Sequence, residues 1–295
     1  MQPKDLLLGL LVMAIWGFNF VAIRIGLHDI PPILLCALRF LLSALPAVFF
    51  FPRPKGSWSL LFGFAIFTFA LQFSFLFVGM QLGMPAGLAS LIGQFQVFFT
   101  MGLALWFFGE KPSRWKLSGA FISFLGILIV AANFHGSANL IGLMLSLLAA
   151  LAWAFGNMYS KKISAQSSLA LVVWGSLLAS PFLIVLSLLV DGPAAIAAAF
   201  QHLTWTAAGA IAYIVYLSTY VGYSLWGYLL NRYPTATVAP FSLLVPVFGF
   251  LGAHFALGEE FPLWKLFASA LVVLGLMFNL FEAKIRALLA SFYSE

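Results

Sequence analysis

A phrase that the chain contains twice limits its fold more than any other feature. Gly109-Glu110-Lys111-Pro112-Ser113-Arg114-Trp115-Lys116-Leu117 precedes an apolar run ending in Leu125-Gly126, and Gly258-Glu259-Glu260-Phe261-Pro262-Leu263-Trp264-Lys265-Leu266 precedes one ending in Leu274-Gly275. The copies stand 149 residues apart with no gap, and the same offset pairs Pro85 with Pro234. The duplicated unit therefore spans at least two long apolar segments, and internal repetition has to be accommodated first.

Composition then names the solvent. Of 295 residues 63% are hydrophobic and 7% charged, with mean hydropathy +1.08, where a soluble domain has about half apolar and a quarter charged. Ten apolar segments, near 5–27, 31–51, 58–82, 84–107, 114–132, 139–160, 168–190, 204–230, 234–257 and 262–282, approach the ~20 residues that cross hydrocarbon as a helix. Backbone groups must satisfy one another there. The expected fold class is an all-α polytopic membrane protein with ten transmembrane helices, the first a retained helix and not a cleaved signal. The single Cys36 excludes an intrachain disulfide framework. A net charge of +6 would suggest nucleic acid in a soluble chain, but here the basic residues sit between apolar runs and report topology.

With the N-terminus cytoplasmic, 11 of the 14 Lys and Arg fall on the inner side, Arg24 and Lys265 fall outside, and Arg39 lies within the second helix. That bias puts both termini inside. Five helices per copy is an odd number, so the second copy must enter the membrane upside down. The expected organisation is a first inverted repeat over 1–133, a second over 134–282, and a cytoplasmic tail over 283–295 that either lies along the inner interface or frays. Inverted repeats are the architecture of alternating-access transporters, with substrate held near the midplane between the halves. A looser match, Trp16 and Asn19 in helix 1 with Trp153 and Asn157 in helix 6, extends the duplication.

Polar groups inside a membrane are site candidates by default. Near the estimated midplane are Trp16, Asn19, Gln72, Gln94, Gln96, Trp153, Asn157 and Ser242, and helix 8 adds Tyr213, Tyr216, Tyr220 and Tyr223 at spacings that share one helical face. The amides either bind substrate or bond neighbouring helices; the tyrosines either line a cavity or pack. Pro240 and Pro246 in helix 9 remove backbone donors and permit a bend, which either shapes packing or frees carbonyls for a substrate ammonium. Pro46 and Pro181 are candidate paired hinges, and His254 a gate or packing residue. All eight acids fall at helix ends, loops or the tail. No midplane carboxylate supports a proton relay, and too few basic residues line the spans for a phosphorylated substrate.

A neutral or zwitterionic small molecule moving downhill or with weak coupling fits that inventory, with the lipid bilayer as the other partner and no nucleic acid. No catalytic, metal or cofactor motif occurs, so no enzyme, no metal and no cofactor is expected. Glu110 and Glu259 suit the N-termini of helices 5 and 10, with Trp115, Trp264, Lys116 and Lys265 as interfacial anchors.

Ten spans in two five-helix copies, Trp16-Gly17-Phe18-Asn19-Phe20, Leu38-Arg39-Phe40, and Gly109-Glu110 or Gly258-Glu259 before the fifth helix of each half resemble the EamA family of the drug/metabolite transporter superfamily. Met84 to Leu91 and Ala239 to Pro246 resemble its bacterial amino-acid exporters. The resemblance implies export of amino acids and related metabolites across the bacterial inner membrane, through a cavity formed by helices 1, 3, 4, 6, 8 and 9. Efflux of drugs or other organic cations is the second reading within transport; a membrane receptor or scaffold is the reading from another class.

Overall fold

The computed structural model describes residues 1–109, 112–133, 137–163, 167–233 and 235–282. Ten apolar helical segments run through it: α1 Pro3–Asp29, α2 Pro32–Phe49, α3 Trp58–Gln81, α4 Ala86–Phe107, α5 Arg114–Ala132, α6 Ser137–Ser160, α7 Ser168–Val190, α8 Trp205–Arg232, α9 Phe241–Leu257 and α10 Leu263–Leu280. No strand occurs among the described residues. Glu110, Lys111, Pro234 and the tail 283–295 lie outside them. The sequence anticipated every segment. It did not anticipate the short helix Pro193–Gln201 between α7 and α8, which starts from Gly192 at φ 83° and a proline in its first turn.

Local chemistry sets the ends. Ser57, Ser113, Ser167 and Thr204 each accept a bond from the backbone N–H three residues on, at 3.1 to 3.3 Å, which satisfies one orphan donor of a first turn. Gly109 and Gly258 close α4 and α9 in the left-handed region at φ 67° and 65°, a conformation that glycine reaches without steric cost. The duplicated phrase thus begins as a pair of helix C-caps.

The helices pack in pairs that exchange under the duplication. α5 lies against α10 and α2 against α7; α1 packs on α9 and α8, and α6 correspondingly on α4 and α3. The α5–α10 seam is nearly self-symmetric. A Cβ on Gly119 would stand 2.4 Å from the carbonyl oxygen of Gly275, and one on Gly126 would stand 2.7 Å from that of Ala268. Residues 119 and 268, and likewise 126 and 275, are partners under the 149-residue offset. At the centre the Ser123 hydroxyl donates to the Val272 carbonyl at 3.1 Å, again 149 residues away. Small residues let two backbones approach closely where hydrocarbon offers no hydrophobic drive.

Inside the bundle the helices depart from α geometry at matched levels. α3 widens to a π-helix over Ile66–Leu71 and α8 over Tyr213–Val221; the 149-residue offset carries 66–71 onto 215–220. α4 tightens after Gly93, where Gln94, Phe95, Val97 and Phe98 donate to carbonyls three residues back. α9 does the same through the 3-10 turn Ala239–Leu243, then restarts at Leu244. Proline led us to expect a bend in α9 alone. The break in α4 has no proline, and Pro246 stands in the first turn of the restarted helix, where its missing N–H removes no intrahelical bond. The Pro240 side chain lies outside what is described. The two hinge candidates also differ: Pro46 ends the α-helical part of α2 at Ala44 before the turn Ala47–Phe49, whereas Pro181 sits within an unbroken α7.

Candidate functional site

Two ends and a centre carry the polar chemistry. At one end Asp5, fully buried in the first turn of α1, accepts from Tyr233 Oη at 2.6 Å and from Tyr228 Oη at 3.5 Å, with Arg232 Nε at 3.4 Å. Tyr228 and Arg232 belong to the end of α8, so this cluster ties the first segment of one half to the second half.

At the other end, acids of the second half cap helices of the first. Glu259 accepts from the Ala86 and Gly87 N–H groups at 2.7 and 3.4 Å. Asp191 accepts from the Leu34 N–H at 2.7 Å and from the Ser187 hydroxyl at 2.9 Å. A carboxylate on a helix N-terminus satisfies orphan donors and meets the positive end of the dipole. The Glu259 carboxylate therefore serves α4, not α10 as expected from its place in the chain; α10 starts from Pro262 with no side-chain cap. Thr204 at the start of α8 donates to Asp29 at 2.5 Å. His254 is engaged with the Glu259 backbone oxygen at 3.0 Å, which makes it a brace of the same loop. Lys265, expected as an interfacial anchor, is buried and donates to the Glu260 carbonyl at 2.8 Å. A cavity of about 660 Å³ opens between these groups, lined by Arg24, His28, Asp29, Glu259, Glu260 and Lys265 among others. It contains none of the residues singled out at the midplane.

Those residues form smaller groups in the centre. Asn157 donates to Gln96 Oε1 at 2.9 Å and to Thr100 Oγ1 at 3.0 Å, so α6 and α4 are bonded across the halves. Trp16 donates to the Ser218 carbonyl at 3.1 Å and packs on Tyr223 and Trp226, each at 5.4 Å between ring centroids; Gly222 gives it room, since a Cβ there would stand 2.5 Å from its Nε1. The π turn of α8 fans the tyrosines that regular spacing put on one face. Tyr213 donates to the Ile15 carbonyl on α1 at 3.0 Å, Tyr220 to the Ser43 carbonyl on α2 at 2.8 Å, and Tyr216, 60% exposed, keeps its ring 6.1 Å from that of Tyr220. Ser242 bonds the Ala239 carbonyl within its own turn at 2.8 Å. Trp153 is half-buried. Asn19, Gln72 and Gln94 are buried, and Asn19 Oδ1 and Gln72 Oε1 have no hydrogen-bond partner.

One central residue was left out of the candidate set. Arg39 on α2 is 4% exposed, its Nε and Nη1 have no partner, and its guanidinium stands 4.2 Å from the Phe73 ring and 5.3 Å from that of Phe40. A ring face offsets part of the burial of a cation, by about 2 kcal/mol when desolvated, while desolvating the charge costs several kcal/mol. The sequence did carry a signal, since Arg39 is the basic residue deepest inside a span.

Comparison with known proteins decides the family. The EamA-like transporter family profile matches residues 4–132 and again residues 140–281. The chain belongs to the EamA-like transporter family. Within reach of this EamA-like chain is a probable amino-acid metabolite efflux pump of Salmonella typhimurium (strain LT2), 43% identical over 97% of this chain and 98% of that one. A probable amino-acid metabolite efflux pump of Escherichia coli (strain K12) is 40% identical over the same shares. A solved crystal structure covers 95% of the EamA-like chain and 97% of its own at TM-score 0.58 and 16% identity, which shows a shared fold. The all-helical class, the repeat architecture and the membrane transporter class read from the sequence all hold.

Proposed function

We propose that this protein exports amino acids and related metabolites across the bacterial inner membrane by alternating access. One observation carries the reading: buried hydrogen-bonding atoms without partners, Asn19 Oδ1, Thr68 Oγ1, Gln72 Oε1 and Arg39 Nε and Nη1 among them, lie inside the bundle, two of them in or beside the π segment of α3. A transporter needs such groups inside the bilayer, because a polar solute must exchange water for protein partners. The names of the two bacterial relatives support the substrate class.

In this reading 1–133 and 134–282 are the inverted repeats, and both termini and the tail 283–295 are cytoplasmic. The Asp5 end then faces inward and the Glu259 end outward. Trp16, Asn19, Gln72, Gln94, Gln96, Trp153, Asn157, Tyr213, Tyr216, Tyr220 and Ser242 contribute the path. Rocking exchanges the cross-half bonds at one end for exposure at that end, with Pro46, Pro181, Pro240 and Pro246 as flexible points and His254 at the outer gate. Transport is downhill, since the described spans bury no carboxylate at mid-depth.

Counterflow in proteoliposomes tests this directly. Internal unlabelled amino acid should accelerate uptake of labelled amino acid at least tenfold over empty vesicles, with no requirement for an imposed pH gradient. Strict dependence on the gradient would remove the downhill mechanism. Counterflow of hydrophobic cations without amino acids would favour drug efflux, and no counterflow of any solute would favour a receptor.

A further inference from the structure

Arg39 is the feature that this path does not yet use. On α2 it shares a face with Cys36 three residues before it and Ser43 four residues after it. Cys36 Sγ is 3.9 Å from the Phe69 carbonyl on α3, and the Ser43 carbonyl receives the Tyr220 hydroxyl of α8. Arg39 therefore stands where α2 meets α3 and the π segment of α8. Both neighbours are π-helical along this stretch, a geometry that recurs at functional sites.

The local inventory is one-sided. Arg39 is buried, and two of its guanidinium nitrogens, Nε and Nη1, are shielded from solvent and without acceptors. Aromatic faces at Phe73 and Phe40 attract the cation but accept none of its fork-directed hydrogens as a carboxylate would. A buried arginine of this kind matches a planar two-oxygen anion, which a guanidinium binds through paired N–H groups. The centre also holds acceptors without donors: Gln72 Oε1, in the residue preceding Phe73, and Asn19 Oδ1. Unpaired donors and unpaired acceptors together suit a molecule that brings a carboxylate and an ammonium on one carbon.

We infer that Arg39 binds the α-carboxylate of the exported amino acid, which makes it the residue that selects amino acids over amines. The assignment rests on the amino-acid export reading above. It explains how Arg39 can sit in this bundle with no carboxylate paired to it among the described residues: the substrate supplies one. Binding pairs the guanidinium with the carboxylate, while the substrate ammonium keeps the net charge of the loaded site the same as that of the empty one.

The test is competition against labelled amino-acid counterflow by three probes of one side chain: leucine, leucine methyl ester and the decarboxylated amine. The wild-type protein should prefer leucine to either of the others at least tenfold, as expected for a charge-assisted bond worth one to two decades. Arg39→Gln should reduce that preference to within about twofold by weakening leucine alone. Arg39→Lys, which keeps the charge and loses the fork, should retain part of the preference. A purely structural arginine predicts another pattern, with all three probes weakened equally in Arg39→Gln, and that result overturns the assignment. If Arg39→Gln does not fold, the wild-type ratio and Arg39→Lys decide: equal competition by leucine and its ester, or an undiminished ratio in Arg39→Lys, overturns it. Wild-type counterflow of amino acids with an unchanged ratio in both variants removes Arg39 and leaves amino-acid export standing. Wild-type transport of the amine without leucine removes both.

Discussion

The α5–α10 seam and the α4–α9 pair descend from the same duplication, yet they have fared differently. At the seam the contacts of the two copies still mirror each other: Gly119 faces Gly275 and Gly126 faces Ala268, two contacts exchanged by the offset, and Ser123 bonds Val272, its own equivalent. In the α4–α9 pair the backbones agree, since both are interrupted by a tighter turn and both end in a left-handed glycine. Their side chains do not. Gln94 and Gln96 of α4 correspond to Leu243 and Val245 of α9, and Ser242 of α9 corresponds to Gly93 of α4. Packing at a two-fold axis penalises change on either side at once, because each residue contacts its partner's equivalent. A path for an asymmetric solute has no such constraint, and polar groups there can differ between halves.

That contrast can be broken at several points. Gly275→Leu should do most, since a Cβ there already stands 2.2 Å from the Gly119 carbonyl oxygen; overpacking against backbone should cost about 3 kcal/mol or more. Loss of the monodisperse peak in detergent chromatography is the expected outcome, and a normally folded variant would mean that the seam can part. Next comes Glu259→Gln, which keeps an acceptor and removes the charge from the start of α4, at about 1.5 kcal/mol. A cysteine placed at Met84, fully buried beside the same cavity, in a Cys36→Ser background, should then react about tenfold faster with an impermeant maleimide. An unchanged rate would show that the carboxylate does not hold the halves together.

Asn157→Ala removes two bonds that join α6 to α4 and should lower stability by about 1 kcal/mol. Its melting temperature in detergent should fall by a few degrees, and stability equal to wild type would place the amide wholly in the service of the substrate. Ser123→Ala should be smallest, about 0.5 kcal/mol, because the symmetric approach of the backbones survives without the hydroxyl. A larger loss would mean that the hydrogen bond, and not close packing, maintains the seam.

Much of this molecule was legible without coordinates, for identifiable reasons. Apolar runs between proline and glycine punctuation set the helices, because hydrocarbon leaves the backbone no other way to satisfy itself. The candidate amides were recognised because polar groups are rare there. Their pairing was not legible: that Asn157 would meet Gln96 while the Asn19 and Gln72 amide oxygens found no donor depends on how separate helices rotate against one another. The Glu259 carboxylate goes to another helix than its place in the chain suggests for a similar reason. Glu259 is next to α10 in sequence, but the N–H groups it reaches are 173 and 172 residues away.

The sequence by itself determined that the chain crosses a membrane ten times, that it is duplicated, and that an odd helix count turns one copy over. These follow from local solvation and counting, which need no knowledge of neighbours. Only the tertiary structure decided where α3 and α8 widen, that α4 breaks without a proline, which helices Asp191 and Glu259 cap, and that Arg39 meets no counter-charge among the described residues. Those outcomes are set by contacts between segments far apart in the chain, and no residue's own propensity records its distant partner.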